Sequence, residues 1–90
     1  MPRYVVERAF AEGLQIGSDA QGAAEWRTVV ERNAAEGVTW IHSYVSDDRA
    51  RMFCVYDAPS PESIRRTAAR NDLPVHRITR VRVLDPYFYR

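Results

Sequence analysis

Two side chains in this 90-residue chain are candidate ligands for a transition metal. His42 lies in the run VTWIHSYVS at 38–46, and Cys54, the single cysteine, lies in the run RMFCVYD at 51–57. A neutral imidazole suits Ni(II), Cu(II) and Zn(II), and thiolates select softer ions. Each also has a structural interpretation, since a strand histidine can bond a neighbour and a free cysteine is usually a buried apolar thiol. Both therefore stay open as ligands.

Glu7 is a third candidate, because a carboxylate would complete a mixed nitrogen and oxygen site. The alternative is that Glu7 and Arg8 form a solvated strand end or an ion pair. His76, in a connector after Pro74, is expected to be exposed and without a role. Two histidines and one cysteine do not have the spacing of a zinc finger or an iron–sulfur site. A metal site would need carboxylates, water or a second subunit.

The runs 38–46 and 51–57 are rich in β-branched and aromatic residues and flank the polar segment Asp47-Asp48-Arg49. They predict one β-hairpin. If an odd number of residues separates the paired strands, His42 and Cys54 share a face. If the number is even, they lie on opposite faces and cannot share a metal. We expect the odd case, which directs one set of side chains to the helices (Ile41, Val45, Phe53 and Val55) and another to the open face (Trp40, His42, Tyr44, Met52, Cys54 and Tyr56).

The remaining elements follow from caps and periodicity. Residues 3–10 predict a strand, with Leu14 and Ile16 after it plugging the core. A helix is expected from an N-cap at Ser18 to about Glu36, with Gly37 at its end. Its predicted inward stripe is Ala23, Trp26, Val30 and Ala34. Ser60 and Pro61 predict the start of a second helix, with Ile64, Thr67 and Ala68 inward and Arg65, Arg66 and Arg70 outward; 78–84 predicts a last strand.

The order β-α-β-β-α-β predicts a single α+β domain over 1–90 of the ferredoxin-like plan. Two helices then cover one face of a four-stranded antiparallel sheet, and the other face stays open. The aromatic tail Tyr87–Arg90 is expected to add a short fifth strand or to pack onto a second subunit. The open sheet face and the aromatic tail both favour a homodimer.

Composition narrows the function classes. The net charge is +1, and the second half carries nine arginines against six acids, far from the dense basic stripe of a nucleic-acid binder. No apolar run approaches the ~18 residues of a membrane span. A lone cysteine forms no intrachain disulfide, so we expect a cytoplasmic protein. Because the charge bias is weak and the apolar runs are short, we expect neither a nucleic-acid partner nor a membrane partner. No catalytic triad, P-loop or dinucleotide fingerprint is present, so the enzyme question stays open and leans to no.

Four segments resemble a family of small bacterial proteins, actinobacterial in type, that long carried only an unknown-function label. They are 2–8 (PRYVVER), 37–48 (GVTWIHSYVSDD), 53–65 (FCVYDAPSPESIR) and 81–86 (VRVLDP). The resemblance implies a ferredoxin-like dimer that holds nickel ions at its surface. Many relatives carry Arg-Glu-His-Ala in the second helix, whereas this chain has Arg65-Arg66-Thr67-Ala68 and lacks that histidine.

These observations predict nickel binding through His42, with help from Glu7 or Cys54, for sequestration or buffering. Copper or zinc would compete, because the ligand types do not define the metal. The alternative is a dimeric ferredoxin-like enzyme or a small-molecule binder that uses the same open sheet face.

Overall fold

The computed structural model describes residues 1–14 and 19–87. Its elements follow the predicted order. They are β1 (Arg3–Ala9), α1 (Ala20–Ala35), β2 (Thr39–Val45), β3 (Arg51–Asp57), α2 (Pro61–Arg70) and β4 (Arg77–Val81).

All neighbouring strands pair antiparallel, in the order β2-β3-β1-β4. The ferredoxin-like α+β prediction is confirmed. In β1 and β3 the side chains alternate between buried and half-buried, so one face packs under the helices and the other stays open. The covered face supplies most of the core, which includes Tyr4, Val6, Met52, Cys54 and Tyr56.

Helix α1 starts one residue later than predicted. Asp19 is the N-cap, and its carboxylate accepts a hydrogen bond from the Gly22 backbone N–H at 2.8 Å. Ser18, the predicted cap, and Ile16, a predicted plug, lie outside the described residues, whereas Leu14 is buried as expected. Gly37 ends the helix with φ +72°, the left-handed conformation that glycine adopts without strain.

The inward stripe of α1 is also displaced from the prediction. Gly22, Val29 and Asn33 are buried, whereas Val30 is 45% exposed. The prediction counted only apolar residues and alanines, but a glycine and a hydrogen-bonded asparagine occupy two inward positions. Asn33 Oδ1 accepts a hydrogen bond from Asn71 Nδ2 at 3.2 Å, which satisfies its polar oxygen between the two helices.

Helix α2 begins where it was predicted to begin. Ser60 is the N-cap, with its hydroxyl accepting from the Ser63 N–H, and Pro61 is the first helical residue. The predicted inward residues Ile64, Thr67 and Ala68 are buried. Neither helix, among the residues the structure describes, is long and apolar enough to cross a membrane.

The hairpin has the even spacing, so the odd arrangement that we expected is wrong. His42 pairs with Val55, Tyr44 with Phe53 and Val45 with Met52. Ser46 N–H donates to the Arg51 carbonyl at 3.0 Å, which leaves residues 47–50 as the turn. Met52, Cys54 and Tyr56 consequently lie under the helices, and Phe53 and Val55 face outward.

A bulge at Ile41 lets Trp40 and His42 lie on opposite faces although they are two residues apart. The register shifts between Trp40 and His42. Trp40 packs against the core and against Trp26 of α1, with ring centroids 5.1 Å apart. Its indole N–H donates to Ser43 Oγ at 2.8 Å. Because one extra residue reverses the alternation, Trp40 was wrongly predicted on the open face, while His42 and Tyr44 lie there as expected.

Strand β4 ends at Val81, three residues before its predicted end. No fifth strand forms between Arg82 and Tyr87, and residues 88–90 of the predicted tail lie outside the described part. Val83, Leu84 and Tyr87 are 64%, 77% and 81% exposed. The described tail thus leaves apolar surface uncovered.

Arg8, which the sequence analysis treated as part of a solvated strand end or an ion pair, lies in the core. It is only 3% exposed, on the covered face of β1. Its Nη1 donates to the Pro74 carbonyl at 2.8 Å and its Nη2 to the Tyr56 hydroxyl at 3.1 Å. Within the described residues it has no carboxylate partner, and its Nε has no acceptor. The two hydrogen bonds of the buried guanidinium thus go to neutral oxygens, and its central carbon lies 6.0 Å from the centroid of the Tyr56 ring.

Burial raises the pKa of Tyr56 to about 12, even though the neighbouring Arg8 cation opposes that shift. Below pH 10 the hydroxyl is neutral in both the folded and the unfolded chain. Above pH 10 the unfolded chain loses this proton first, so the free energy of unfolding falls as the pH rises towards 12.

Replacing Tyr56 with Phe should lower the free energy of unfolding by about 1–3 kcal/mol at pH 8, because a buried charged donor of Arg8 loses its acceptor. At pH 11 the difference from the parent chain should shrink, since the parent has lost stability through Tyr56. Urea unfolding at both pH values, followed by tryptophan fluorescence, measures this. A difference that is the same at both pH values would contradict the assignment.

Candidate functional site

The open face of the sheet has an apolar centre and a charged border. Val5 of β1 pairs with Val55 of β3, and Phe53 lies beside them, all three half-buried. The border consists of the outward-facing charged residues at the strand ends, namely Arg3, Glu7, Arg51, Asp57 and Arg77. Interfaces between proteins have this distribution, with an apolar middle and a polar rim.

His42 lies on this face, on the edge strand β2, and is exposed. Its ring makes an edge-to-face contact with Tyr44, with centroids 5.2 Å apart and planes at 84°. Among the described residues neither ring nitrogen has a hydrogen-bond partner. The contact with Tyr44 restricts the orientation of the imidazole, and the residue as a whole is exposed to solvent.

Glu7 also lies on the open face, and its distance from His42 decides whether the two side chains can bind one metal ion. Glu7 pairs with Phe53 on β3 and with Arg77 on β4. Strand β3 lies between it and β2, so the two backbones are about 10 Å apart across the sheet. Phe53 and Val55 occupy the space between them, so Glu7 is a distant neighbour of His42 within one chain.

Cys54 cannot join His42 in a site, which corrects the expectation that they share a face. It pairs with Ser43 and Val6 on the covered side of the sheet and has no exposed surface. The strand residue that shares its face is Arg8 rather than Glu7. Cys54 therefore has the environment of the structural alternative, an enclosed apolar thiol.

Within residues 1–14 and 19–87, no three His, Cys, Asp and Glu side chains come together in a way that could hold a metal ion. His76 is exposed, and its backbone N–H donates to the Glu7 carbonyl at 2.8 Å, on the far side of the sheet from β2. One copy of the described chain thus offers an accessible imidazole with its other candidate ligands out of reach.

The sequence analysis missed the apolar centre formed by Val5, Phe53 and Val55, because it directed the two β3 residues to the helices. The signal that could have identified it is the alternation of β1, where Tyr4, Val6 and Arg8 lie on the buried side. Extending that alternation to β3 would have required the pairing register, which the sequence did not define.

Two comparisons with known proteins bear on this chain. The family described as "Nickel responsive protein SCO4226-like" matches residues 4–81. The crystal structure of SCO4226 from Streptomyces coelicolor A3(2) is similar in fold, with a TM-score of 0.74 at 17% identity, covering 92% of this chain and 99% of that one. No curated protein matches the chain. On the family match, which spans the sheet and both helices, the chain belongs to the SCO4226-like nickel responsive protein family.

Proposed function

We propose that this protein binds a divalent transition metal, nickel first, through His42 on its open sheet face. The role we assign is sequestration or buffering of the ion. The family description, nickel responsive, supports the choice of metal. Copper and zinc suit an imidazole ligand as well, so they are expected to compete in solution.

The observation that carries the proposal is the exposed imidazole of His42, with no hydrogen-bond partner among the described residues. A strand histidine with a structural role would donate or accept a hydrogen bond within the fold. A ligand needs the opposite, a neutral ring nitrogen open to solvent and an orientation held by a neighbour. The edge-to-face contact with Tyr44 supplies that orientation.

A second copy of the chain supplies the missing ligands in this proposal. One histidine is a weak site, and the described residues of one copy do not bring three ligands together. Two open faces packed together bury Val5, Phe53 and Val55 of each copy. Because β2 is an edge strand, His42 then lies at the margin of the interface, where carboxylates such as Glu7 from the other copy become available.

The protein is accordingly proposed to be a homodimer. The exposed tail residues Val83, Leu84 and Tyr87 support this, since a second subunit would cover surface that one copy leaves in water. We place the protein in the cytoplasm, where the free thiol of Cys54 stays reduced.

Titration of the metal-free protein with Ni(II) in a calorimeter should give a saturable isotherm for the parent chain. The His42→Ala variant should lose at least tenfold in affinity, because the imidazole is the ligand that the site depends on. His76→Ala is the matched control, since it removes the other exposed histidine, and it should bind as the parent does. An unchanged isotherm for His42→Ala would rule out this site.

The same titration separates Cys54 from the ligand set. Cys54→Ala should bind nickel with unchanged affinity, because the thiol is enclosed on the covered face. It should lower stability by about 1–3 kcal/mol, because a fully buried side chain is shortened. Loss of nickel affinity in the folded Cys54→Ala protein would mean that the thiol reaches the metal after all.

Sedimentation velocity at micromolar concentration should find a dimer for the parent chain. Val55→Glu places a charge at the apolar centre of the open face and should shift the protein to monomer, with weaker nickel binding if the site needs two copies. The control is Val30→Glu, on the exposed surface of α1, which should stay dimeric. A parent chain that sediments as a monomer would contradict the dimer.

A further inference from the structure

A groove of about 490 Å³, which His42 does not line, lies at the end of the sheet where β1 begins and β3 and β4 end. Its volume is in the range of small-molecule sites. The lining residues are Met1, Pro2, Arg3, Asp57, Arg80, Val81, Arg82 and Val83. The groove adjoins the proposed dimer surface, since Arg3 and Asp57 border the open face and Val83 belongs to the exposed tail.

The charges of the groove are unbalanced. Arg3 and Asp57 neutralise each other through two hydrogen bonds, Nε to Oδ1 at 2.9 Å and Nη2 to Oδ2 at 3.3 Å. Arg80 and Arg82 are exposed and have no carboxylate partner among the described residues. Two guanidinium groups therefore remain uncompensated in one concave surface.

The rest of the groove fits an organic ligand better than a bare ion. Pro2, Val81 and Val83 contribute apolar walls beside the two arginines. Among the described residues strand β4 pairs with β1 alone, so alternate backbone N–H groups on its outer edge have no partner in that part of the sheet. Guanidinium forks and free N–H groups together favour carboxylate or phosphate oxygens.

We propose that this groove binds a small organic dianion, a dicarboxylate or a phosphate monoester, through Arg80 and Arg82. Both ligand types present paired acidic oxygens on a short carbon body. The Arg3–Asp57 pair also lines the groove, and its carboxylate lowers the affinity for an anion by repulsion. The site does not use His42, so it would stand if the nickel proposal failed, although Arg3, Asp57 and Val83 also border the proposed dimer surface.

Binding can be measured by NMR titration of the full chain with succinate, inorganic phosphate and acetate as probes. Succinate, phosphate or both should shift the backbone amides at 80–83 and 3 in a saturable way, and acetate should bind at least tenfold more weakly. Saturation with succinate alone identifies a dicarboxylate site, and with phosphate alone a phosphate site. Equal effects of all three, or shifts spread over the whole surface, would overturn the proposal.

Substitutions that remove a positive charge and one that removes a negative charge should change the affinity in opposite directions. Arg82→Gln and Arg80→Gln should each weaken binding about threefold to tenfold, since each removes one charge next to the ligand. Asp57→Asn should strengthen it by a similar factor, because the repulsion is removed and Arg3 is released. Arg77→Gln, an exposed arginine of β4 outside the groove, is the control. Unchanged binding in both arginine variants, or weaker binding in a folded Asp57→Asn protein, would contradict the site.

Discussion

The pairing register of β2 with β3 decides what each face of this sheet can do. Because strand side chains alternate, a shift of one residue exchanges the two faces completely. Here the four-residue turn at 47–50 puts Cys54 under the helices and His42 in solvent. A fold that covers one sheet face with helices thus separates the two potential metal ligands of the hairpin, and only the imidazole is left for surface chemistry.

The turn is held in place by contacts beyond the hairpin itself. Leu14 N–H donates to the Arg49 carbonyl at 2.8 Å, and Arg49 Nε donates to the Leu14 carbonyl at 3.0 Å. Arg49 adopts φ 61°, a left-handed conformation that is uncommon outside glycine. Leu14 itself is buried in the core. The loop after β1 therefore stabilises the turn geometry that determines which side chains of the hairpin face the solvent.

The elements and their order could be predicted because local signals define them. Ser60 with Pro61 marked the start of α2, Gly37 marked the end of α1, and β-branched runs marked the strands. The faces could not be predicted, because they depend on the turn length and on the bulge at Ile41, which only the paired strands reveal. Arg8 was also missed. Its alternation with Tyr4 and Val6 is a signal for burial, but the sequence analysis took Glu7 and Arg8 as a solvated strand end or an ion pair, because charged side chains are rarely buried.

The buried hydrogen bonds of Arg8 and part of the open face both belong to strand β1. Arg8 binds Tyr56 and the Pro74 carbonyl on the covered side of β1, where the connection from α2 to β4 passes. Val5 and Glu7 of that strand face outward. Strand β1 thus contributes the buried Arg8 to the core on one face and part of the proposed interface on the other.

The bulge at Ile41 also constrains insertions and deletions in the hairpin. Ile41 separates an indole that packs against α1 from an imidazole that lies on the open face. A chain of this fold that lost the residue at this position would have to bury the histidine or expose the tryptophan. Strand length in this hairpin is therefore under tighter constraint than the identity of Ile41, and chains that vary here should change in steps of two residues.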